Sequence, residues 1–231
     1  MSNHIHKVFH SGILVAVLTS GGVPLKEELR RTTHNIRCWA TRHNYTLRIH
    51  ALSLAVLRTG YSQPYGPKRT WHGVPYDKVN DVRHRVVAQY LLRHSHVLHI
   101  DTDTIALNET RSLRPYTRHP AAVTLQLREN GEVAAAAYLV RRSAESDCFL
   151  TMWDAFGHTT HANPRPMLNT DNGVLLLLVG RLLDERAGPS LLLTLITTHH
   201  SINHVFVGRL RDERAGLTTH RNCATVITKA Y

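Results

Sequence analysis

An α/β fold, built on a mixed and mainly parallel sheet flanked by helices, is predicted by two stretches of sequence. The first is Ile13-Leu-Val-Ala-Val-Leu18, a continuous apolar run with β-branched residues that ends in Thr19-Ser20-Gly21-Gly22. Such a run reads as a central strand emptying into a turn. The second is residues 76–93, where Val79, Val82, Val86, Val87, Tyr90 and Leu91 recur at helical spacing and lead directly into His96-Val-Leu-His-Ile100. A helix feeding a buried strand is the repeating unit of an α/β sheet.

The remaining elements follow in order. Residues 25–43 carry Leu29, Ile36, Trp39 and Ala40 among charges and predict a helix, with a strand after it at 45–49. Gly60, Gln63-Pro64, Gly66-Pro67 and Gly73 make 59–74 a long irregular connection, a kind of segment that is often functional in compact domains. Two strands, at 121–127 and 133–140, flank the turn Glu129-Asn130-Gly131. Residues 146–156 predict a helix, 158–169 with Pro164 and Pro166 a loop, and the apolar stretch from Val174 fits either a helix or a strand. The tail holds an echo, Gly180-Arg-Leu-Leu-Asp-Glu-Arg-Ala-Gly188 against Gly208-Arg-Leu-Arg-Asp-Glu-Arg-Ala-Gly216. Two copies do not make a solenoid, which needs three or more stacked units.

A chain of 231 residues that is 42% hydrophobic and 19% charged suits one globular domain. The expectation is a single domain over 1–231 with its core at about 13–178, the part at 179–231 being left without an assignment. The formal charge of +11 attracts anions such as a nucleotide diphosphate, nucleic acid or anionic headgroups. The basic residues are scattered, without a long block or an interleaved aromatic platform, so no nucleic-acid partner is expected. Cys38, Cys148 and Cys223 are odd in number and widely spaced, which indicates neither a disulfide framework nor a cysteine zinc site and leaves room for one bridge. The 18 histidines lack the H-E-x-x-H spacing of a helix-borne zinc site. No apolar run approaches the roughly 20 residues a membrane span needs, and the first apolar run reads as a strand rather than a signal peptide.

The chemistry concentrates where the strand ending at Ile100 runs into Asp101-Thr-Asp-Thr104. Ligands in open α/β sheets bind beyond the carboxyl ends of strands, so Asp101 and Asp103 are delivered to a ligand crevice. Carboxylate and water ligands suit Mg²⁺ or Mn²⁺, which bridge phosphates and neutralise the charge on a departing nucleoside diphosphate. The bland alternative is that an Asp-x-Asp of this kind serves only as a turn.

Taken together and in order, Ile13-Leu-Val-Ala-Val-Leu-Thr-Ser-Gly, Cys38-Trp-Ala-Thr-Arg-His-Asn-Tyr45, Tyr76-Asp-Lys-Val79 and Val97-Leu-His-Ile-Asp-Thr-Asp-Thr104 resemble the GT-A nucleotide-diphospho-sugar glycosyltransferases. The pattern is most similar to the Golgi galactosyl- and mannosyltransferase family and related nematode-type domains, and it spans about 13–178. The resemblance implies a GT-A, Rossmann-like sheet. It implies that Thr19, Ser20, Lys78, Asp101, Thr102 and Asp103 bind the nucleotide-sugar, with Asp101 and Asp103 as the metal pair. Thr19 and Ser20 equally terminate a strand, and Lys78 equally fits a solvated helix face. Ala134-Ala-Ala-Ala-Tyr-Leu-Val140 matches the strand that closes over the sugar, yet relatives carry Asn and Gly where this chain has alanines. Asn169-Thr-Asp-Asn-Gly-Val174 resembles the acidic-amide pair of these enzymes, making Asp171 and Asn172 the catalytic candidates, while Asp171 equally suits a helix N-cap. A last metal ligand is expected from a C-terminal histidine, His220, with His204 competing.

The function so implied is transfer of a hexose from a nucleotide-diphosphate sugar, with Mn²⁺ or Mg²⁺, to a hydroxyl of a glycan or glycoprotein acceptor. Relatives are luminal, so the Golgi lumen is expected, with membrane attachment only through an anchor absent from this chain, or the cytoplasm if the chain is complete. A nucleotidyltransferase is disfavoured because Gly21-Gly22 followed by Pro24 is too short for a triphosphate loop. A catalytically degenerate homologue or a basic binding protein stays open.

Overall fold

The computed structural model describes residues 10–20, 27–53, 56, 70–71, 74–75, 77–128, 132–160, 171–184, 192–198 and 203–209, with backbone alone at the ends of several elements and throughout the last two segments. The elements run β1 (His10–Ser20), α1 (Glu27–Arg42), β2 (Thr46–Leu52), β3 (Thr70–Trp71), β4 (Val74–Pro75), α2 (Asp77–Leu91) and β5 (His94–Ile100). They continue with α3 (Arg114–Thr117), β6 (Val123–Leu127), β7 (Val133–Arg141), α4 (Ala144–Thr160), α5 (Asp171–Asp184), β8 (Leu192–Thr198) and β9 (Asn203–Arg209). The stretch from Val174 is therefore helical. The long connection carries a short antiparallel pairing, Thr70 with Pro75 and Trp71 with Val74.

The main sheet has the order β2-β1-β5-β7-β6-β8-β9. It is the mixed α/β sheet expected: β1 pairs in parallel with β2 and β5, and β6 with β8, while β5–β7, β6–β7 and β8–β9 are antiparallel. Alternation along the central strands decides which helices each face receives. Leu14, Ala16, Val97, Val123, Leu125 and Val140 belong to one core with Val87 and Leu91 of α2, Phe149 and Trp153 of α4, and Leu175 and Leu178 of α5. Val15, Val17, Leu98, Ile100 and Leu139 belong to the other, with Ile36, Trp39 and Ala40 of α1.

The register of β6 on β7 shifts between Leu125, opposite Tyr138, and Gln126, opposite Ala134. The bulge so formed falls on Ala135, Ala136 and Ala137, and a bulge releases backbone groups from the ladder that must find partners elsewhere. The two copies of the tail echo also part company here: Gly180 lies within helix α5 and Gly208 within strand β9. Among the described residues no helix is long and apolar enough to cross a membrane.

Candidate active site at the carboxyl end of strand β5

The chain leaving β5 is held by side chains from α1 and the turn after it. Thr32 Oγ1 donates a short hydrogen bond to the carbonyl of Thr102. Asn35 makes a paired contact with Ala106, accepting from its N–H at 2.7 Å and donating to its carbonyl at 3.3 Å. Its Nδ2 also lies 3.3 Å from Glu109 Oε1. Trp39 Nε1 donates to Arg111 O at 2.8 Å, His43 Nε2 donates to Glu109 O at 2.9 Å, and Tyr45 Oη accepts from the N–H of Leu113 at 2.7 Å. A segment without regular structure thereby has several of its backbone polar groups satisfied by side chains, as a half-buried loop requires.

Asp101 is the first residue past β5. Its N–H donates to Ala136 O at 2.8 Å, and its carbonyl accepts from the N–H of Thr104 at 3.1 Å, closing a turn that carries Asp103 outward to an exposed position. Its carboxylate meets Arg83 Nη1 at 2.9 Å and His99 Nε2 at 3.0 Å, and both contacts fall on Oδ1. The Arg83 side chain is 3% exposed and that of Asp101 is 30% exposed. Burial works against ionisation of Asp101, but the Arg83 charge and the His99 N–H outweigh it and hold the carboxyl below its ordinary value. Among the described residues both side-chain contacts fall on Oδ1 and none on Oδ2, so one oxygen of this part-exposed carboxylate is fixed to the protein.

The alanine bulge completes the arrangement. Arg83 Nη1 also donates to Ala135 O at 2.7 Å, and the N–H of Ala135 donates to Asn172 Oδ1 at 2.8 Å. Asn172 Nδ2 in turn reaches Glu132 Oε1 at 2.7 Å. One residue, Ala135, thus joins Asp101, through Arg83 on its carbonyl, to the first turn of α5, through Asn172 on its N–H. Behind it a row of rings runs inward, His99 and Tyr138 then Tyr138 and Trp153 meeting at a tilt and Trp153 stacking on His84, with centroids 5.0, 5.2 and 5.3 Å apart. His84 Nε2 then donates to Asp154 Oδ1 at 2.8 Å, which Arg85 Nε shares at 2.7 Å.

The sequence-predicted residues distribute as follows. Asp101, Thr102 and Asp103 share the turn after β5, and Asn172 is joined to them through Ala135. Thr19 and Ser20 end β1 opposite Ala51 and Leu52, next to the strand that delivers Asp101, but their side chains lie outside the described residues. The same holds for Lys78 in the first turn of α2, for Asp171 as the first residue of α5, and for His204 opposite Thr197 in β9. His220 lies outside the described residues altogether. Among the described residues no group of three or more His, Cys, Asp and Glu side chains forms a metal cage.

A family model described as "Protein of unknown function, DUF273" matches residues 36–190, which run from the middle of α1 past the end of α5. The chain belongs to the DUF273 family. No curated protein matches it. The solved structures to which this DUF273 chain is similar include one titled "crystal structure of a glycosyltransferase involved in the glycosylation of the major capsid of PBCV-1", with a TM-score of 0.47 and 10% identity over 71% of this chain and 74% of that one.

Sequence reasoning missed Arg83, His99 and Asn35. Two of them were legible in this DUF273 sequence. Arg83 follows Val79 by four residues and precedes Val86 and Val87 by three and four, so it stands on the apolar stripe of α2, where a charge requires a buried partner. His99 alternates with Val97 on the inward face of β5. Asn35 shows no comparable signal, because its partners lie about seventy residues away.

Proposed function

We propose that this DUF273 domain is a GT-A-type glycosyltransferase that binds a nucleotide-diphosphate sugar with Mn²⁺ or Mg²⁺ and transfers a hexose to a hydroxyl of a glycan or glycoprotein. The observation that carries this reading is the split role of the Asp101 carboxylate, with Oδ1 held by Arg83 and His99 and no side-chain contact on Oδ2 among the described residues. Beside it Asp103 offers a second, exposed carboxylate. Two carboxylates fit a cation that completes its shell with water and substrate phosphates, the habit of Mg²⁺ and similar ions. When bound, such an ion supplies neutralisation of the charge on the departing diphosphate.

The chain's own residues supply the rest. Arg83 and His99 fix the orientation of Asp101 and keep it ionised, and the braced loop from 102 to 113 fixes Asp103 relative to it; preorganised charge of this kind accelerates transfer. Thr19, Ser20, Lys78 and Thr102 belong to the nucleotide side in this reading. Asp171 and Asn172 belong to the sugar side, and His220 is the further metal ligand. The reading carries the Golgi lumen with it as the place of action, by resemblance.

A second reading, a degenerate homologue without transferase activity, draws on one observation: the Asn172 amide is engaged by Ala135 and Glu132 rather than presented to a ligand. Calorimetric titration separates the two. Wild-type protein is titrated with UDP and with GDP, with Mn²⁺ and then with EDTA, and the series is repeated on Asp103→Asn. Binding that requires both the metal and Asp103 supports the transferase; absence of binding to either nucleotide in every condition rules out the metal site and favours the degenerate homologue.

A further inference from the structure

The braced loop after Asp101 exposes two large apolar side chains whose location the transferase reading leaves unused. Ile105 is 47% exposed and Leu107 is 89% exposed, and they flank Ala106, the residue clasped through both its N–H and its carbonyl by Asn35. Single exposed leucines are ordinary, so exposure by itself means little. What differs here is that the backbone between the two residues is pinned. The side chains protrude on either side of a residue that is hydrogen-bonded to α1 through both its N–H and its carbonyl.

The charge around them has one sign in excess. Arg31 and Arg42 on α1, Arg111 on the loop and Arg114 at the start of α3 are all exposed. The Asn35–Ala106 and Trp39–Arg111 hydrogen bonds tie α1 to the loop, so the elements that carry these arginines adjoin the segment that carries the protruding residues. Against these four arginines the loop sets two acids, exposed Asp103 and Glu109, and Glu109 is already engaged by Asn35 and lies 3.6 Å from Arg42.

Protruding apolar side chains set among arginines are complementary to an anionic bilayer surface, where the charges attract acidic headgroups and the apolar tips enter the acyl boundary. We infer that the loop around Ile105 and Leu107 docks this domain peripherally on a membrane surface rich in anionic lipid. A polyanion such as nucleic acid would engage the arginines, but it would leave Leu107 without a role and would find no exposed aromatic residue in the loop on which to stack a base. The inference stands independently of the glycosyltransferase reading, since it concerns binding alone.

The test is co-sedimentation of the full chain with vesicles of phosphatidylcholine mixed with phosphatidylserine, against vesicles of phosphatidylcholine alone. The expected result is binding to the mixed vesicles only, released in about 1 M salt, where charges are screened beyond about 3 Å. Leu107→Asp is expected to weaken binding by at least about tenfold through loss of apolar insertion. Arg111→Glu with Arg114→Glu is expected to abolish it, circular dichroism confirming that each variant is folded. Failure of the wild type to sediment with the mixed vesicles overturns the proposal, as does binding that Leu107→Asp leaves unchanged. A self-association lost in Leu107→Asp, without vesicle binding, overturns it in favour of contact between copies of the chain.

Discussion

Arg83 Nη1 stands 2.9 Å from Asp101 Oδ1 and 2.7 Å from Ala135 O, so one buried nitrogen joins an acid at the end of β5 to a peptide in the bulge of β7. The guanidinium is almost wholly enclosed while the carboxylate is half-buried, so the charge cannot be left alone without cost. Asp101 therefore has a structural role whether or not it also binds a cation.

This gives Asp101 and Asp103 different signatures. Asp101→Ala strands Arg83 and is expected to destabilise the protein by about 2–3 kcal/mol, less than a fully buried pair costs because Asp101 is partly exposed and Arg83 keeps Ala135. Asp103→Asn, at an exposed position, is expected to stay within about 0.5 kcal/mol of wild type. Urea denaturation of both variants checks the contrast. Equal stability of the two would show that the ion pair contributes nothing.

Asn172 closes the same network from the side of α5. Asn172→Ala leaves the N–H of fully buried Ala135 without its acceptor, at a cost of about 1–3 kcal/mol. Asn172→Asp keeps an acceptor for Ala135 but sets a second carboxylate where Nδ2 met Glu132 Oε1 at 2.7 Å. That variant should be less stable than wild type near neutral pH and should recover part of the loss on acidification, as one proton comes to be shared. Denaturation midpoints across pH measure both effects, and a purely catalytic Asn172 would move neither.

Acid sensitivity has a second source in the pair at the far end of the row of rings. Burial keeps His84 neutral and lowers its pKa below 6.5, and its bond to Asp154 only partly offsets this. Asp154 is opposed by burial but is held by His84 and Arg85, which bring its carboxyl from 3.8 to about 2. Both folded values lie below the unfolded ones, so both contributions are present above the unfolded pKa and are lost as the pH falls. The share of His84 declines from about pH 6.5 downward, and that of Asp154 between 3.8 and about 2. Asp154→Asn should give a shallower stability curve in the lower window; a curve as steep as that of wild type would contradict the assignment.

The loop that carries Asp103 depends on Asn35. Asn35→Ala removes the acceptor of the Ala106 N–H and two further contacts, and exchange of the Ala106 amide with deuterium should quicken by about tenfold or more. Asn35→Asp restores the acceptor but not the donor toward Ala106 O, so its exchange should fall between the two. Hydrogen exchange resolved by NMR reads this directly.

Much of the architecture was legible in advance because it depends on local periodicity. The apolar run at 13–18, the helical spacing at 76–93 and the strand ending at Ile100 became β1, α2 and β5, with ends shifted by a few residues. The placement of Asp101 and Asp103 just past a strand followed from the same reading. The stretch from Val174 stayed open between helix and strand, since an apolar run without polar punctuation has no visible period.

What the sequence by itself determined, then, was which segments are strands and helices and which strand end carries the acids. Only the tertiary structure decided how those acids are held. The alanines at 134–137, which offer no polar side chain, turn out to act through their backbone, because the bulge on β7 turns the Ala135 carbonyl to Arg83 and its N–H to Asn172. The physical reason is range. Helix and strand periodicity is set by neighbours within a few positions, whereas a peptide released from its ladder takes whatever donor or acceptor the fold brings to it, and here those come from residues 52 and 37 positions away.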